Sequence, residues 1–240
     1  MRIECQGCIW KIPDMIQKGK FVVIEGVDGS GKTTQFNLLL ERLKKKYKKI
    51  LVADFPRYYD SVWGKMVGEF LNGKYGKFES VDPLLTVLPY MIDQYTWGRD
   101  IGKKWIDKGG TVVSNRYFTS NVHQIAKLKG RARKMYRDWL WPTGYKELGI
   151  IKPDLVIFLD VPPKISLKLI KEKRGRAYLK GKKKDAAERN RKHQLEAYKE
   201  YLFTIRNNSF WTKARCTTKS KIDLPEIIHE RVWKKVSEIL

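Results

Sequence analysis

The sequence predicts an α/β fold: a five-stranded parallel sheet with helices on both faces and a mobile lid. Three observations predict it. Short apolar runs alternate with longer segments of helical spacing. One of those runs passes directly into a glycine-rich turn that opens a helix. The chain has 240 residues and no internal repeat, the size of one compact domain. A short, continuously apolar run is what a strand buried on both faces requires, and such strands belong to parallel sheets.

The elements follow in order. Phe21 to Ile24 reads FVVI, a buried strand. From Thr33 to about Tyr47, Phe36, Leu39, Leu40 and Leu43 fall at helical spacing. Ile50 to Ala53 is a second strand. Asp82-Pro83 starts a helix, with an acid at the N-cap and proline in the first turn, and that helix runs to Lys108 before Gly109-Gly110. Thr111 to Ser114 is a third strand. Arg131 to Leu148 is helical, with Pro142 expected to break it. Leu155 to Leu159 is a fourth strand, closed by Pro162-Pro163. Arg174 to Lys184 is basic, polar and glycine-containing, so it is a candidate mobile loop. Asp185 to about Thr204 is a helix, Phe210 to Ala214 a fifth strand, and Leu224 to Ile239 a last amphipathic helix.

Composition removes several function classes. Hydrophobic residues make up 42% and aromatic residues 12%, which excludes a disordered chain. No apolar run exceeds the five residues of Leu155–Leu159, far short of the roughly 20 that a membrane span needs. The first 20 residues hold no continuous apolar stretch, so no secretory signal is expected. Three cysteines, Cys5, Cys8 and Cys216, cannot all pair, which suits a reducing, cytoplasmic compartment. Cys5 and Cys8 form a lone C-x-x-C without the further ligands a zinc site needs. The net charge of +24 would attract polyanions. But the excess is mostly lysine, spread along the chain with its densest runs at Lys44–Lys49 and Lys180–Lys184. Solvated helix faces explain it, and no specific nucleic-acid partner is expected.

The chemistry sits in residues 26–33, GVDGSGKT, which fits G-x-x-x-x-G-K-S/T between a strand and a helix. Gly26, Gly29 and Gly31 let the backbone curl so that amides, including those of Val27, Ser30 and Thr34, converge on phosphate oxygens. The helix N-terminus adds partial positive charge. Lys32 can reach the terminal phosphates of ATP, and Thr33 can offer a hydroxyl to Mg²⁺. Asp28 is unusual in a phosphate cradle. It would repel phosphate unless a cation or a second substrate's hydroxyl lies between them, so it is a candidate for both metal and substrate contact.

The stretch FVVIEGVDGSGKTTQ, with DFPRYYDSVWGKMVGEFLNGKYG at 54–76, SNRYFTSNVHQ at 114–124 and DLVIFLDVPPKISLKLI at 154–170, resembles the thymidylate kinase family. That resemblance runs from about Phe21 to the C-terminus. It implies a P-loop kinase fold, one domain over 21–240 with its lid at about 174–184, and an N-terminal extension of unknown role over 1–20. It implies ATP as phosphoryl donor, dTMP as acceptor, Mg²⁺, and a homodimer. It places Phe55 and Arg57 against the acceptor monophosphate, with Arg116 gripping the same phosphate. Two planar guanidinium forks suit that anion.

The resemblance also puts Tyr90 on the face of the base, with Gln94 where the family has an arginine. Asn121 falls on the pyrimidine edge and Gln124 near the deoxyribose. Arg174 and Arg176 would close over the transferring group from the lid, and Asp185 and Glu188 form the acidic pair that follows it. One departure stands out. The family's metal-side aspartate, before the motif arginine, is Asn115 here, which keeps an oxygen but loses the charge.

Overall fold

The computed structural model describes residues 18–76, 80–172 and 191–240. The expected lid, with Arg174 and Arg176, and the acidic pair Asp185 and Glu188 expected after it lie outside the described residues, as do Cys5 and Cys8.

The elements run β1 (Phe21–Glu25), α1 (Lys32–Lys46), β2 (Ile50–Asp54), α2 (Val62–Leu71), α3 (Pro83–Trp97), α4 (Lys103–Asp107), β3 (Thr111–Asn115), α5 (Val122–Ile125) and α6 (Gly130–Pro142). Then come β4 (Leu155–Asp160), α7 (Pro163–Glu172), α8 (Arg191–Arg206), β5 (Trp211–Arg215), a small hairpin of β6 (Thr217–Thr218) and β7 (Lys221–Ile222), and α9 (Pro225–Ser237). The main sheet has the order β2-β3-β1-β4-β5, and every pairing in it is parallel. The five expected strands are all present.

β1 lies between β3 and β4 and is completely buried. Its side chains alternate. Phe21 and Val23 enter a core on one face with Met91, Tyr117, Leu140 and Tyr201. Val22 and Ile24 enter a second core on the other face with Leu39, Leu43, Val232 and Val236. A strand with apolar residues at four successive positions can serve two cores at once, so the apolar runs carry the topology. Strand order reverses on either side of β1, and in such sheets ligands gather at the carboxyl end of that point.

Two details differ from the sequence reading. The helix from Pro83 does reach Asp107, but a π-helical turn, Gly98–Gly102, interrupts it. A Cβ at Gly102 would lie 2.5 Å from the Trp97 ring, so the glycine lets that indole fold over the widened turn. Pro142 does not break its helix. It keeps helical angles (φ −60°, ψ −45°), and the chain continues through a π-helical turn, Thr143–Glu147. There the Leu148 amide donates to the Thr143 carbonyl at 2.9 Å, five residues back. Proline leaves one carbonyl of the preceding turn unserved, and the chain goes on through the wider turn without a break.

α2 and α7 were not foreseen. α2 starts at Ser61, whose hydroxyl accepts from the Gly64 amide at 3.3 Å, an N-cap inside a stretch read only as a motif. α7 starts at Pro163, so the Pro162-Pro163 pair that ends β4 also opens a helix.

Candidate active site

The loop between β1 and α1 curls as its glycines allow. Gly29 and Gly31 have φ of 80° and 85°, a region that costs an L-residue roughly 1–2 kcal/mol. Gly29 has a second reason: a Cβ there would lie 2.4 Å from the Ser166 carbonyl of α7. Lys32, the first residue of α1, folds back over the loop and donates from Nζ to the carbonyls of Gly26 and Val27, both at 2.9 Å. Thr33 and Thr34 are exposed at the helix N-terminus. Val27 and Ser30 are buried within the loop, and the Ser30 amide donates to the Val27 carbonyl at 3.2 Å.

Asp28 sits in a cluster of polar groups. Its carboxylate accepts from Arg116 Nη2 on Oδ1 and from Gln194 Nε2 on Oδ2 at 2.9 Å. Lys32 Nζ lies 3.8 Å away. Both oxygens are therefore committed to nitrogen donors. Burial alone would lower the pKa of Arg116, but the Asp28 carboxylate, with Glu25 behind it, holds the guanidinium well above its ordinary value. Arg116 also carries φ of 64°, a left-handed conformation rare outside glycine, with its amide tied to the Ile24 carbonyl at 3.1 Å. Such strain survives only where the surroundings over-determine it, and it gathers at functional sites.

Seven of the ten expected substrate residues line one cleft: Asp28, Phe55, Tyr90, Gln94, Arg116, Asn121 and Gln124. It holds about 600 Å³ of atom-free space, counted out to its open mouth. The polar groups along it are fixed from behind. Asn121 Nδ2 donates to the Phe118 carbonyl at 2.9 Å, and Thr86 Oγ1 donates to Gln124 Oε1 at 2.7 Å. Gln94 is 1% exposed, and its Oε1 is buried with no hydrogen-bond partner among the described residues. A buried amide oxygen left this way suits an incoming donor.

Arg57 is placed differently. Its backbone adjoins the cleft beside Pro56 and Tyr58, but its guanidinium turns onto α3, donating from Nε to Asp93 Oδ1 and from Nη2 to Thr96 Oγ1, both at 2.9 Å. Asn115 ends β3 beside the end of β2, where its Nδ2 donates to Asp54 Oδ1 at 3.0 Å. A carboxylate of the neighbouring strand thus lies beside position 115.

Sequence reading missed Glu25, Tyr58, Ser120 and His123. Glu25 is fully buried. It accepts from Thr119 and Ser120 hydroxyls at 2.6 and 2.7 Å and from Tyr201 at 2.9 Å, joining β1, the turn after Arg116 and α8. An acid between a buried strand and a glycine loop was the signal available for it. His123 had none, because it reads as one polar residue in a short helix.

The model of the family described as thymidylate kinase matches residues 24–213, from the end of β1 into β5. The chain belongs to the thymidylate kinase family. The thymidylate kinase of Carboxydothermus hydrogenoformans is 32% identical over 158 residues, which cover 64% of this chain and 71% of that protein. The thymidylate kinase of Afipia carboxidovorans is 26% identical across 93% of this chain and 91% of its own length. Among solved structures, that of Candida albicans thymidylate kinase superposes with a TM-score of 0.70 at 20% identity, covering 92% of both chains. That of the Ehrlichia chaffeensis thymidylate kinase gives 0.60 at 18% identity. The fold is that of a P-loop kinase. No helix among the described residues is long and apolar enough to cross a membrane.

Proposed function

We propose that the protein transfers the γ-phosphoryl group of ATP to dTMP, giving dTDP and ADP. The observation that carries this reading is the convergence, in one cleft, of Arg116 at the phosphate-loop end with Tyr90 and the buried amides of Gln94, Asn121 and Gln124 further along. A protein that only bound ATP would need no second polar cleft beside its phosphate loop.

The loop amides and Lys32 hold the donor phosphates, and the dipole of α1 adds to their pull. Arg116 holds the acceptor phosphate, steered by Asp28. Arg57, with its guanidinium held on α3 by Asp93, fixes the loop that borders the acceptor phosphate. Arg174 and Arg176 supply positive charge from the lid, and Asp185 and Glu188 complete the acceptor side. Transfer then rests on positioning and electrostatics, with no covalent enzyme intermediate. Thr33 fits Mg²⁺, because an exposed hydroxyl at the helix start leaves the ion its waters and the nucleotide oxygens it prefers. Bound there, Mg²⁺ would neutralise donor phosphate charge. Asp28, whose carboxylate holds the Arg116 guanidinium, serves the acceptor side rather than the metal.

The same reading covers the organisation of the chain: a single domain over 21–240, an extension over 1–20, and a cytoplasmic setting. A homodimer is favoured by the apolar residues exposed along α2 and α3, where Val62, Leu84, Leu85 and Leu88 are 47–75% exposed. The lysine surface takes no specific nucleic acid.

A coupled assay of ADP release with dTMP, dUMP, dCMP, UMP, CMP, AMP and GMP tests the acceptor. Turnover of dTMP should stand well above the rest. Turnover of another deoxynucleotide without dTMP would move the assignment to a sister kinase of the same fold, with Gln94 as the reason.

A further inference from the structure

His123 lines the acceptor cleft between Asn121 and Gln124 and takes no part in the mechanism above. Its Nδ1 lies 3.3 Å from Nε2 of His193, the residue beside Gln194 on α8. Its ring stands edge-on to Tyr201, with centroids 5.7 Å apart at 82°. These contacts fix the ring. Its other nitrogen, Nε2, is buried with no hydrogen-bond partner among the described residues. A buried imidazole nitrogen left unpaired is unfavourable, so its place on a ligand cleft calls for a ligand.

We propose that His123 is a specificity-determining residue that hydrogen-bonds a sugar hydroxyl of the nucleoside monophosphate acceptor through Nε2. This rests on the acceptor reading given above and deepens it. The argument for a hydroxyl is chemical. The contact with His193 uses one proton between two nitrogens, so His123 Nε2 is either a donor or an acceptor, according to the tautomer. A hydroxyl pairs with both forms. A phosphate oxygen pairs with only one, and Arg116 already provides for it. Position agrees: His123 lines the same cleft as Arg116, Tyr90 and Gln94, and among charged groups Asp28, the partner of Arg116, acts on it most strongly. A nucleotide with its phosphate at Arg116 and its base at Gln94 has its sugar between them. The 3′-hydroxyl is the one free hydroxyl on a deoxyribose 5′-phosphate.

The test compares two acceptors, dTMP and 3′-deoxythymidine monophosphate, which lacks only that hydroxyl. With wild type, His123→Phe and His123→Gln, kcat and KM are measured for each. The Phe variant should lose about tenfold in kcat/KM for dTMP, mostly through KM, as expected for one buried hydrogen bond. For the 3′-deoxy acceptor, wild type and His123→Phe should be alike within about twofold. The Gln variant should recover part of the loss with dTMP. If His123→Phe fails to fold, His123→Leu carries the same expectation. Equal losses on both acceptors, or none on either, would overturn the His123 assignment while leaving dTMP kinase activity standing. A wild type that does not turn over dTMP at all overturns the acceptor reading and this inference with it.

Discussion

Arg57 and Asp93 are bound to each other by three hydrogen bonds, and Thr96 adds a fourth to Arg57. Arg57 Nε donates to Asp93 Oδ1 at 2.9 Å, its backbone amide to Oδ2 at 3.0 Å, and its Nη2 to both the Asp93 carbonyl and Thr96 Oγ1 at 2.9 Å. The Asp93 side chain has no exposed surface, and that of Arg57 has 18%. The loop after β2 is thereby riveted to α3, the helix that carries Tyr90 and Gln94. These bonds tie the phosphate end of the cleft to its base end.

That coupling has an energetic consequence. Arg57→Ala leaves the Asp93 carboxylate buried without its cation, which should cost about 3 kcal/mol of stability. Removing both partners should cost less than the two single losses added together, because neither charge is then stranded. Urea denaturation of wild type, Arg57→Ala, Asp93→Ala and the double variant measures the cycle. Strict additivity would mean the pair is a surface contact in energetic terms.

Arg116 combines a strained backbone with a charged side chain, and two substitutions separate the effects. Arg116→Ala and Arg116→Gly both remove the guanidinium, so each should lower kcat/KM for dTMP by about 10²-fold or more. Glycine relieves the left-handed backbone and alanine does not. The glycine variant should therefore be the more stable of the two by about 1 kcal/mol. Lys32→Ala should show a similar loss of turnover with a retained fold. Matching melting temperatures for the two Arg116 variants would argue against strain at this position.

Burial pulls the His123 imidazole well below its ordinary value, helped by His193, Arg116 and Lys32 and opposed by Asp28. The sign follows. A base whose pKa is lower folded than unfolded is stabilising above the unfolded value near 6.5, and that contribution is lost as the pH falls below it. Wild type should lose stability between about pH 6.5 and 5 more steeply than His123→Phe. Thermal melts at half-unit intervals give the two slopes, and parallel curves would show that the His123 proton is not linked to folding.

How much of this could be read from the sequence depended on what each residue has to satisfy. β1 and β4 announced themselves because both faces are buried, and the phosphate loop because its glycines and lysine must follow a strand. The cleft residues Phe55, Tyr90, Gln94, Asn121 and Gln124 came from resemblance, not from periodicity, and they do meet in space. Arg57 was legible as a residue but not in direction. Its partner Asp93 is 36 positions away, and nothing in the helix pattern marks Asp93 as fully buried. Pro142 misled because a proline stops an α-helix but is tolerated at a widened turn. His123 and His193, 70 positions apart, become a pair only when α8 crosses α5.

The exchange at Asn115 gives the last prediction. Taken alone, Asn115→Asp would seem to restore a family feature and leave activity intact. The contact with Asp54 argues otherwise. Asn115 Nδ2 donates to Asp54 Oδ1 at 3.0 Å, so the substitution replaces a donor with a second carboxylate at hydrogen-bond distance. Two carboxylates that close cannot both ionise without repulsion, and one must take up a proton or swing away. Asp54 is exposed, so water softens the clash to about 1 kcal/mol. Asn115→Asp should therefore melt lower than wild type at pH 8 and recover toward pH 5, where a shared proton restores the contact. The swapped variant, Asp54→Asn with Asn115→Asp, rebuilds an amide–carboxylate pair and should regain both stability and turnover at pH 8. Melting curves at the two pH values, with kcat for dTMP, distinguish the cases. If the single variant matches wild type at pH 8 and the swap is the impaired one, the position of the carboxylate on β2 is itself what the protein requires.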